Sequence, residues 1–313
     1  MKKLWALMTT AVVAVTLAGC STNTNHGQSQ STSQQITATQ LPDLTYTVGK
    51  QAYVEVNGGK STLNPDSWKQ NRIQYADLDS HNRTSAANTA YLEKRNVADG
   101  ALRTRQTVYP TGWHQKFVNN DAIINRGHLI AYSLSKGINT DGQYEANLKS
   151  GDQNNLKNLF TQSAFSNQKL QTIYETLVRN ALKENKRVIY QVQPVFKGSD
   201  LMARGVHLQA ISTDKKLNFN VYLFNVQPGI QFDYASGRSK VDNSMNVPAP
   251  ASVSYYNGNQ RHHSSVGAIL GAYGAYKTYQ HYQKRKTESS YHSQRTYRTH
   301  RTYQPHYRTF RHR

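Results

Sequence analysis

Apolar and polar residues alternate in several short runs between about residues 41 and 241. A period of two is typical of a β-strand with one buried face. The pattern predicts a first strand at 53–56, which ends at Asn57-Gly58-Gly59, a sequence typical of a hairpin turn. It also predicts strands at 188–196, 207–212 and 219–226.

A different period predicts one helix, from about Gln168 to Asn185. Apolar residues recur there three and four positions apart, so one face of the helix is expected to be buried. These residues are Leu170, Ile173, Tyr174, Leu177, Val178, Ala181 and Leu182. Because strands dominate and few helices lie among them, the predicted fold class is α+β and not a repeating βαβ arrangement.

The first twenty residues, MKKLWALMTTAVVAVTLAGC, have the pattern of a secretory signal. Their ending, Leu17-Ala18-Gly19-Cys20, resembles a bacterial lipobox. This resemblance implies cleavage before Cys20, a lipid on its sulfur and a location on the extracellular face of the cell membrane. The alternative is an ordinary signal peptide whose removal leaves a secreted protein. Cys20 is the only cysteine among 313 residues, which excludes an internal disulfide framework and a cysteine-based zinc site.

Two segments outside the predicted domain at 43–241 lack the composition of a packed core. Residues 21–42 contain no Asp, Glu, Lys or Arg and few large apolar residues, which predicts a flexible tether. Residues 242–313 are predicted to form a disordered basic tail. Its last part, 276–313, holds ten Lys or Arg residues, seven Tyr, five His and one Glu.

The formal net charge of the whole chain is +20, which favours polyanionic partners: nucleic acid, an anionic cell surface or anionic lipid. The tail could bind nucleic acid through arginine–phosphate contacts and tyrosine–base stacking. It could also adhere to anionic cell-wall polymers or collect transition metals through its histidines. The alternative is a solvated extension with no specific partner.

Three polar groups within the domain are candidates for chemistry, and the first is Asn125-Arg126-Gly127-His128. Apolar residues precede and follow it. A His after a Gly in a strand-like segment suits an imidazole that is held rigidly with one ring nitrogen presented. A lone His among apolar residues is nevertheless more often structural.

The second group is a cluster of side-chain amides before the predicted helix. Asn serves well as a helix cap and in turns, which is one interpretation. The other is a site for Mg²⁺, in which an amide oxygen supplies one ligand while waters and a substrate phosphate supply the rest. The cluster consists of Asn155, Asn158, Gln162, Asn167 and Gln168.

The third is Glu175, eight residues after Asn167. On a regular helix that separation places the two residues on the same side. The alternative is a solvated surface glutamate paired with Arg179, four positions further on.

Together these groups resemble the DNA/RNA non-specific endonuclease family, ββα-metal nucleases that carry a D/N-R-G-H motif. The resemblance implies a ββα-metal fold with a central antiparallel sheet and flanking helices. The Asn-Arg-Gly-His form of the motif looks like the one used by surface nucleases of Gram-positive bacteria. Further matches within residues 77–239 are Leu78-Asp79-Ser80, Gly112-Trp113-His114, Tyr190 through Phe196 and Phe219 through Ile230.

The resemblance also implies roles for individual residues. His128 matches the general base that deprotonates the attacking water. Asn167 matches the one direct protein ligand of a single Mg²⁺, for which Mn²⁺ is the alternative ion. Glu175 matches a carboxylate that acts on the metal through water.

Four further positions have supporting roles under the same resemblance. Asn158 matches an amide that shapes the site, and Arg126 matches an arginine that supports the site or the phosphate. Arg83 is the candidate for an upstream arginine that contacts phosphate. Asn125 stands where many relatives have Asp, so it can orient its neighbours only through hydrogen bonds.

The expected function is therefore a lipid-anchored, Mg²⁺-dependent endonuclease that hydrolyses DNA and RNA without sequence preference. A site that holds phosphate and ignores base edges and the 2′-hydroxyl would accept both nucleic acids. The alternative is a non-catalytic surface protein that binds DNA or anionic wall polymer on a nuclease scaffold. The sequence does not specify an oligomeric state.

Overall fold

The computed structural model describes residues 35–98 and 106–271. Within these ranges the chain forms fourteen strands. They are β1 (Tyr53–Glu55), β2 (Arg72–Gln74), β3 (Asn88–Leu92), β4 (Phe117–Val118), β5 (Asp121–Ala122), β6 (Ile124–His128), β7 (Leu159–Ser163), β8 (Val188–Val195), β9 (Gly205–Ser212), β10 (Asn218–Phe224), β11 (Ile230–Asp233), β12 (Arg238–Val241), β13 (Ser252–Asn257) and β14 (Gln260–Ser265).

The principal helix of the described residues is α1 (Thr172–Lys183), which directly follows a π-helix at Ser166–Gln171. The helix predicted from sequence is therefore confirmed, but its first turns are wider than those of an α-helix. Short 3₁₀ helices lie at Ala38–Asp43, Asn57–Gly59, Pro65–Ser67, Lys94–Asn96, Tyr132–Leu134 and Leu156–Asn158.

Eight of the described strands form one antiparallel sheet in the order β14-β13-β10-β9-β8-β3-β2, with β1 also paired to β10. Its centre consists of the three long strands β8, β9 and β10, and every residue of β9 is buried. This architecture confirms the predicted α+β class with a central antiparallel sheet and flanking helices.

Helix α1 packs on the sheet through the apolar face that its spacing predicts. The Tyr174 ring lies against the Phe219 ring with 5.1 Å between centroids, and Tyr190 contacts the same Phe219 ring edge-on at 6.4 Å. Ile173, Val178 and Leu182 are buried in the same core. The sheet therefore fixes the position of α1.

Strands β6 and β7 form a separate antiparallel pair immediately before the π-helix and α1. Asn225 holds this pair to the main sheet. Its Oδ1 accepts the Ser163 N–H at 2.7 Å, and its Nδ2 donates to the Thr161 and Ala203 carbonyls at 3.1 and 2.8 Å. The result is a strand–strand–helix unit anchored on a rigid core.

The predicted hairpin turn at Asn57-Gly58-Gly59 is wrong. These residues form a 3₁₀ turn with left-handed backbone angles, and β1 pairs with β10, far along the chain. The segment after the turn crosses the sheet, where the Ser61 N–H donates to Asn218 Oδ1 at 2.7 Å and the Thr62 N–H donates to Gln209 Oε1 at 2.9 Å. Polar side chains of the sheet thus replace a neighbouring strand as its partners.

The predicted domain boundaries also need correction. At the amino-terminal side, Leu41 is buried and belongs to the 3₁₀ helix Ala38–Asp43, although the predicted tether extended to residue 42. At the other side, β13 and β14 form a hairpin that extends the main sheet, although the tail was predicted to begin at residue 242. Val253 of this hairpin is buried.

Polar contacts help to hold the added hairpin beside the buried Val253, and its other residues are exposed or half-buried, so its sequence lacks the signature of a core strand. Arg261 donates to Glu55 Oε1 at 2.5 Å, and Lys60 lies over the Tyr256 ring at 5.0 Å. The Tyr53 hydroxyl donates to the Ser252 carbonyl at 3.3 Å.

Several predictions concern residues that the structure does not describe. The signal peptide at 1–20, lipid attachment at Cys20, the tether up to residue 34 and the tail from residue 272 all lie outside the described residues. Among the described residues, none belongs to a helix with the length and apolar character that crossing a bilayer requires.

A buried histidine in the sheet predicts a pH-dependent stability. Burial lowers the pKa of His207 below its ordinary 6.5, although a hydrogen bond to Asn220 opposes this effect. The unfolded chain then binds the proton at a higher pH than the folded one, so stability is greatest above about pH 6.5 and falls as the pH drops below it. The slope for this proton is at most about 1.4 kcal/mol per pH unit.

Urea unfolding of the purified domain between about pH 7.5 and pH 5 measures this slope. His207→Gln should flatten it, whereas the same change at the exposed His263 should leave it as it is. An equal slope in the wild type and in His207→Gln would contradict the assignment.

Candidate active site

The pairing of β6 with β7 places the Asn-Arg-Gly-His motif against the amide cluster. Asn125 lies opposite Gln162, Gly127 opposite Phe160 and His128 opposite Leu159. The side chain of Gln162 leans over Gly127, where a Cβ atom would lie only 2.2 Å from Gln162 Oε1. The glycine of the motif is therefore required by close packing against Gln162.

Asn167, in the π-helix, is the residue on which the motif and the cluster converge. Its Oδ1 accepts a hydrogen bond from Asn125 Nδ2 at 3.3 Å, and its Nδ2 donates to Gln162 Oε1 at 2.9 Å. The side chain is half-buried. An amide at the edge of the protein thus has both ends held by other amides.

Glu175 and His128 join this arrangement through Gln171. The Gln171 Nε2 atom donates to Glu175 Oε1 at 2.9 Å and to the His128 carbonyl at 2.8 Å. Glu175 is only 7% exposed, so it is not the solvated surface glutamate of the alternative interpretation. The structure therefore connects Asn125, Asn167, Glu175 and the backbone carbonyl of His128 in one cluster, since Gln162 also donates to the Gln171 side-chain oxygen.

Arg126 lies against two adjacent aromatic rings at the edge of the cluster. Its guanidinium carbon is 4.3 Å from the centroid of the Tyr109 ring and 4.7 Å from that of Trp113, and its Nε donates to the Val108 carbonyl at 2.6 Å. Tyr109 is 62% exposed. The stacked, planar group is oriented in a way that a lysine cannot reproduce.

Replacement of Arg126 by Lys should therefore lower kcat/KM on nucleic acid although the charge is kept. Loss of the stacking and of the Nε hydrogen bond is worth about 2 kcal/mol, which corresponds to roughly 30-fold. Steady-state cleavage of a labelled duplex measures the effect, with Arg238→Lys on the exposed part of β12 as the matched control. Equal kcat/KM for both variants would show that the stacking does not contribute.

Asn158 is fully buried and has a positioning role. Its Oδ1 accepts the Ile130 N–H at 2.9 Å, and its Nδ2 donates to the Ile130 carbonyl at 3.0 Å. The side chain thus holds the chain just after His128 and does not itself reach the surface. Asn155, by contrast, is a capping residue, because its Oδ1 accepts the Lys157 N–H at the start of a 3₁₀ helix.

Arg83 is buried and bonded to other parts of the protein, so its expected phosphate contact stays a prediction. The side chain is 8% exposed. Its Nε donates to Asp79 at 2.8 Å, and its Nη1 donates to the carbonyls of Gly198 and Asp200 at 2.8 and 2.7 Å. Although burial alone would raise the pKa of Asp79, hydrogen bonds from Arg83 and its neighbours hold that pKa well below its usual range.

Two residues of the site were not predicted from the sequence. Gln171 lies four positions before Glu175, a spacing at which helical side chains meet, but a glutamine at such a position is common on any helix. Tyr109 comes from the loop before Trp113, and only the folded chain shows that it stacks on Arg126.

The described residues contain no group of three or more His, Cys, Asp or Glu side chains placed to hold a metal ion. The amide oxygen of Asn167 is one candidate oxygen ligand at this site.

The comparisons with known proteins agree with this strand–strand–helix site. Residues 63–214 match the family described as DNA/RNA non-specific endonuclease. The chain is similar to NucA from Streptococcus agalactiae, whose crystal structure has magnesium bound. The two sequences are 32% identical and the TM-score is 0.53; the match covers 63% of this chain and 89% of NucA. For the crystal structure of NucA with no metal bound, the sequence identity is 31% and the TM-score is 0.52. That match covers 63% of this chain and 90% of NucA.

The chain belongs to the DNA/RNA non-specific endonuclease family. This membership confirms the class expected from the sequence, an endonuclease with a ββα-metal fold.

Proposed function

We propose that the protein is a divalent-metal-dependent endonuclease that cleaves DNA and RNA without sequence or sugar preference. The observation that carries the proposal is the cluster in which Gln171 bridges Glu175 and the His128 carbonyl while Asn125 contacts Asn167. The family resemblance gives His128, Asn167 and Glu175 direct roles in catalysis and metal binding, and Asn125 stands where many relatives have Asp.

The residues present fit a hard divalent cation. Asn167 offers a neutral oxygen at a half-buried position, and Mg²⁺ binds oxygen and keeps most of its waters. NucA, the similar protein, has been crystallised with magnesium bound, which supports Mg²⁺ here, and Mn²⁺ is the alternative. When bound, such an ion neutralises charge on the phosphate and on the leaving oxygen.

The side chains of this chain supply the remaining chemistry. His128 accepts the proton of the water that attacks phosphorus, a role suited to a neutral imidazole. Arg126 provides an oriented positive charge for the phosphate oxygens. Glu175 is held by Gln171 and would accept hydrogen bonds from waters around a bound ion.

Breadth of substrate follows from what the site recognises. Its contacts are suited to phosphate, which DNA and RNA share. Two labelled single strands of the same sequence, one DNA and one RNA, should be cut with kcat/KM values within about tenfold of each other. Cleavage of one sugar type alone, or cleavage confined to particular bases, would contradict the proposed lack of preference.

The location and the tail are further parts of the proposal, which the sequence supports. A lipid on Cys20 would hold the enzyme outside the cell membrane, and Cys20→Ser should release it into the medium. The basic tail would strengthen binding to nucleic acid or to wall polymers. Removal of residues 276–313 should weaken DNA binding and reduce its salt dependence, and unchanged values for both would contradict the nucleic-acid role.

A further inference from the structure

A continuous chain of side-chain hydrogen bonds connects Glu175 to Asn167. In each glutamine of this chain, the NH₂ group donates toward Glu175 and the oxygen accepts from the side of Asn167. The chain of hydrogen bonds begins at Gln171, whose Nε2 lies 2.9 Å from Glu175 Oε1 and 2.8 Å from the His128 carbonyl oxygen. A carboxylate and a backbone carbonyl can only accept hydrogen bonds. The end of Gln171 that faces them must therefore be the NH₂ group, and its oxygen must face the other way.

The orientation of Gln171 fixes that of Gln162. Its Nε2 donates to the Gln171 oxygen at 2.9 Å and to Ser166 Oγ at 3.0 Å, which leaves its own oxygen for Asn167. Gln162, Gln171 and Ser166 are fully buried, so water cannot replace a lost partner. Reversal of any one amide would set two oxygens or two NH₂ groups against each other, and a buried polar group without a partner costs about 1–3 kcal/mol.

The last link fixes the orientation of Asn167. Its Nδ2 donates to Gln162 Oε1 at 2.9 Å, so its oxygen points away from Gln162. That oxygen accepts only one further contact in the described residues, from Asn125 Nδ2 at the long distance of 3.3 Å. A carbonyl oxygen has two lone pairs, so it can keep this contact and still bind a cation.

We propose that Gln162 and Gln171 form an orientation relay, anchored on Glu175 and the His128 carbonyl, that turns the oxygen of Asn167 and not its nitrogen toward the divalent cation. The inference rests on the proposed role of Asn167 as metal ligand. Gln171 is in this account a positioning residue. The proposal also gives Glu175 a second role, because its carboxylate is the acceptor that fixes the orientation of Gln171.

The first test is the affinity of the purified protein for Mn²⁺ alone, measured by calorimetry or electron paramagnetic resonance. Gln171→Met keeps the length of the side chain and removes both its hydrogen-bond donor and its hydrogen-bond acceptor. Partners that orient a metal ligand are typically worth 10–100-fold in metal affinity, so Mn²⁺ binding should weaken by at least about tenfold.

Gln191→Met is the matched control. Gln191 belongs to a similar amide chain in the main sheet, where it donates to Thr89 and accepts from Gln209 at 2.9 Å in both cases. This chain is separate from the hydrogen bonds of the site, so Mn²⁺ affinity should stay at the wild-type value. Thermal unfolding of both variants reports any general loss of structure.

The decisive test repeats Gln171→Met in an Asn167→Asp background. A carboxylate has oxygen at both ends, so it needs no orientation. The relay account predicts that Gln171→Met weakens Mn²⁺ binding in the wild-type background and, in the Asn167→Asp background, weakens it by less than about twofold. A merely structural role for Gln171 predicts the same loss in both backgrounds.

The outcomes separate this inference from the proposed function. If the wild type binds Mn²⁺ and Gln171→Met binds it equally well, the relay is overturned while metal dependence stands. Equal losses in the two backgrounds also overturn it, because a carboxylate presents oxygen whichever way it turns. If the wild type binds neither Mn²⁺ nor Mg²⁺, the proposed metal dependence fails and the relay fails with it.

Discussion

Replacement of His128 by Ala should lower kcat for the cleavage of DNA by about 10²–10⁴-fold, the usual contribution of a general base. The residue ends β6, its carbonyl is held by Gln171, and the next residues are held by Asn158. Buried amides thus hold the backbone that carries the imidazole. Loss of the side chain removes the proton acceptor and leaves these backbone contacts in place.

The same variant should keep its melting temperature and its affinity for DNA, measured without divalent metal to prevent cleavage. His81→Ala, at an exposed position, is the control and should retain the wild-type kcat. A His128→Ala protein that cuts DNA at the wild-type rate would show that the base is another group.

Gly127→Ala should damage both stability and metal binding. A Cβ at this position would lie 2.2 Å from Gln162 Oε1 and 2.7 Å from Gln162 Cβ, and Gln162 is fully buried. Such overpacking typically costs about 1–3 kcal/mol, or roughly 2–4 °C in melting temperature for each kcal/mol. Displacement of Gln162 should also disturb Asn167, so Mn²⁺ affinity should fall by at least about tenfold.

Gly267→Ala is the matched control, since a Cβ there meets no atom within 4 Å. Its melting temperature should stay at the wild-type value or rise slightly, since Ala favours a helix, and its Mn²⁺ affinity should be that of the wild type. If Gly127→Ala behaved like Gly267→Ala, the close contact between the motif glycine and Gln162 would not be the reason for a glycine at this position.

The elements that could be predicted from sequence are those with a strong local period. Helix α1 and the strands β8, β9 and β10 each bury a regular set of apolar residues, so spacing alone located them. The hairpin of β13 and β14 was not predicted because Val253 is the one buried residue of these two strands. Its other contacts include polar pairs: Arg261 with Glu55, and Lys60 with Tyr256. Its partners lie about 200 positions earlier, where no local pattern can indicate them.

In the site, too, some residues were predictable from short sequence patterns and others depend on contacts that are distant in the chain. The Asn-Arg-Gly-His motif and Asn167 are recognisable as short patterns, and the fold brings them together. The family resemblance made Arg83 the candidate for a phosphate contact. Its hydrogen-bond partners, the carbonyls of Gly198 and Asp200, lie 115 and 117 positions away in the chain, where no local pattern indicates them. The relay through Gln162 and Gln171 depends on the π-helix at Ser166–Gln171, a local geometry that leaves no period in the sequence.

The central claim is that this chain is a metal-dependent endonuclease whose base is His128. The most direct measurement incubates the purified domain with supercoiled plasmid and with total RNA, in excess Mg²⁺ and in EDTA, beside the His128→Ala protein. Both nucleic acids should be degraded in Mg²⁺ by the wild type only, and both should stay intact in EDTA. Intact plasmid and RNA after incubation of the wild type in excess Mg²⁺ would contradict the claim.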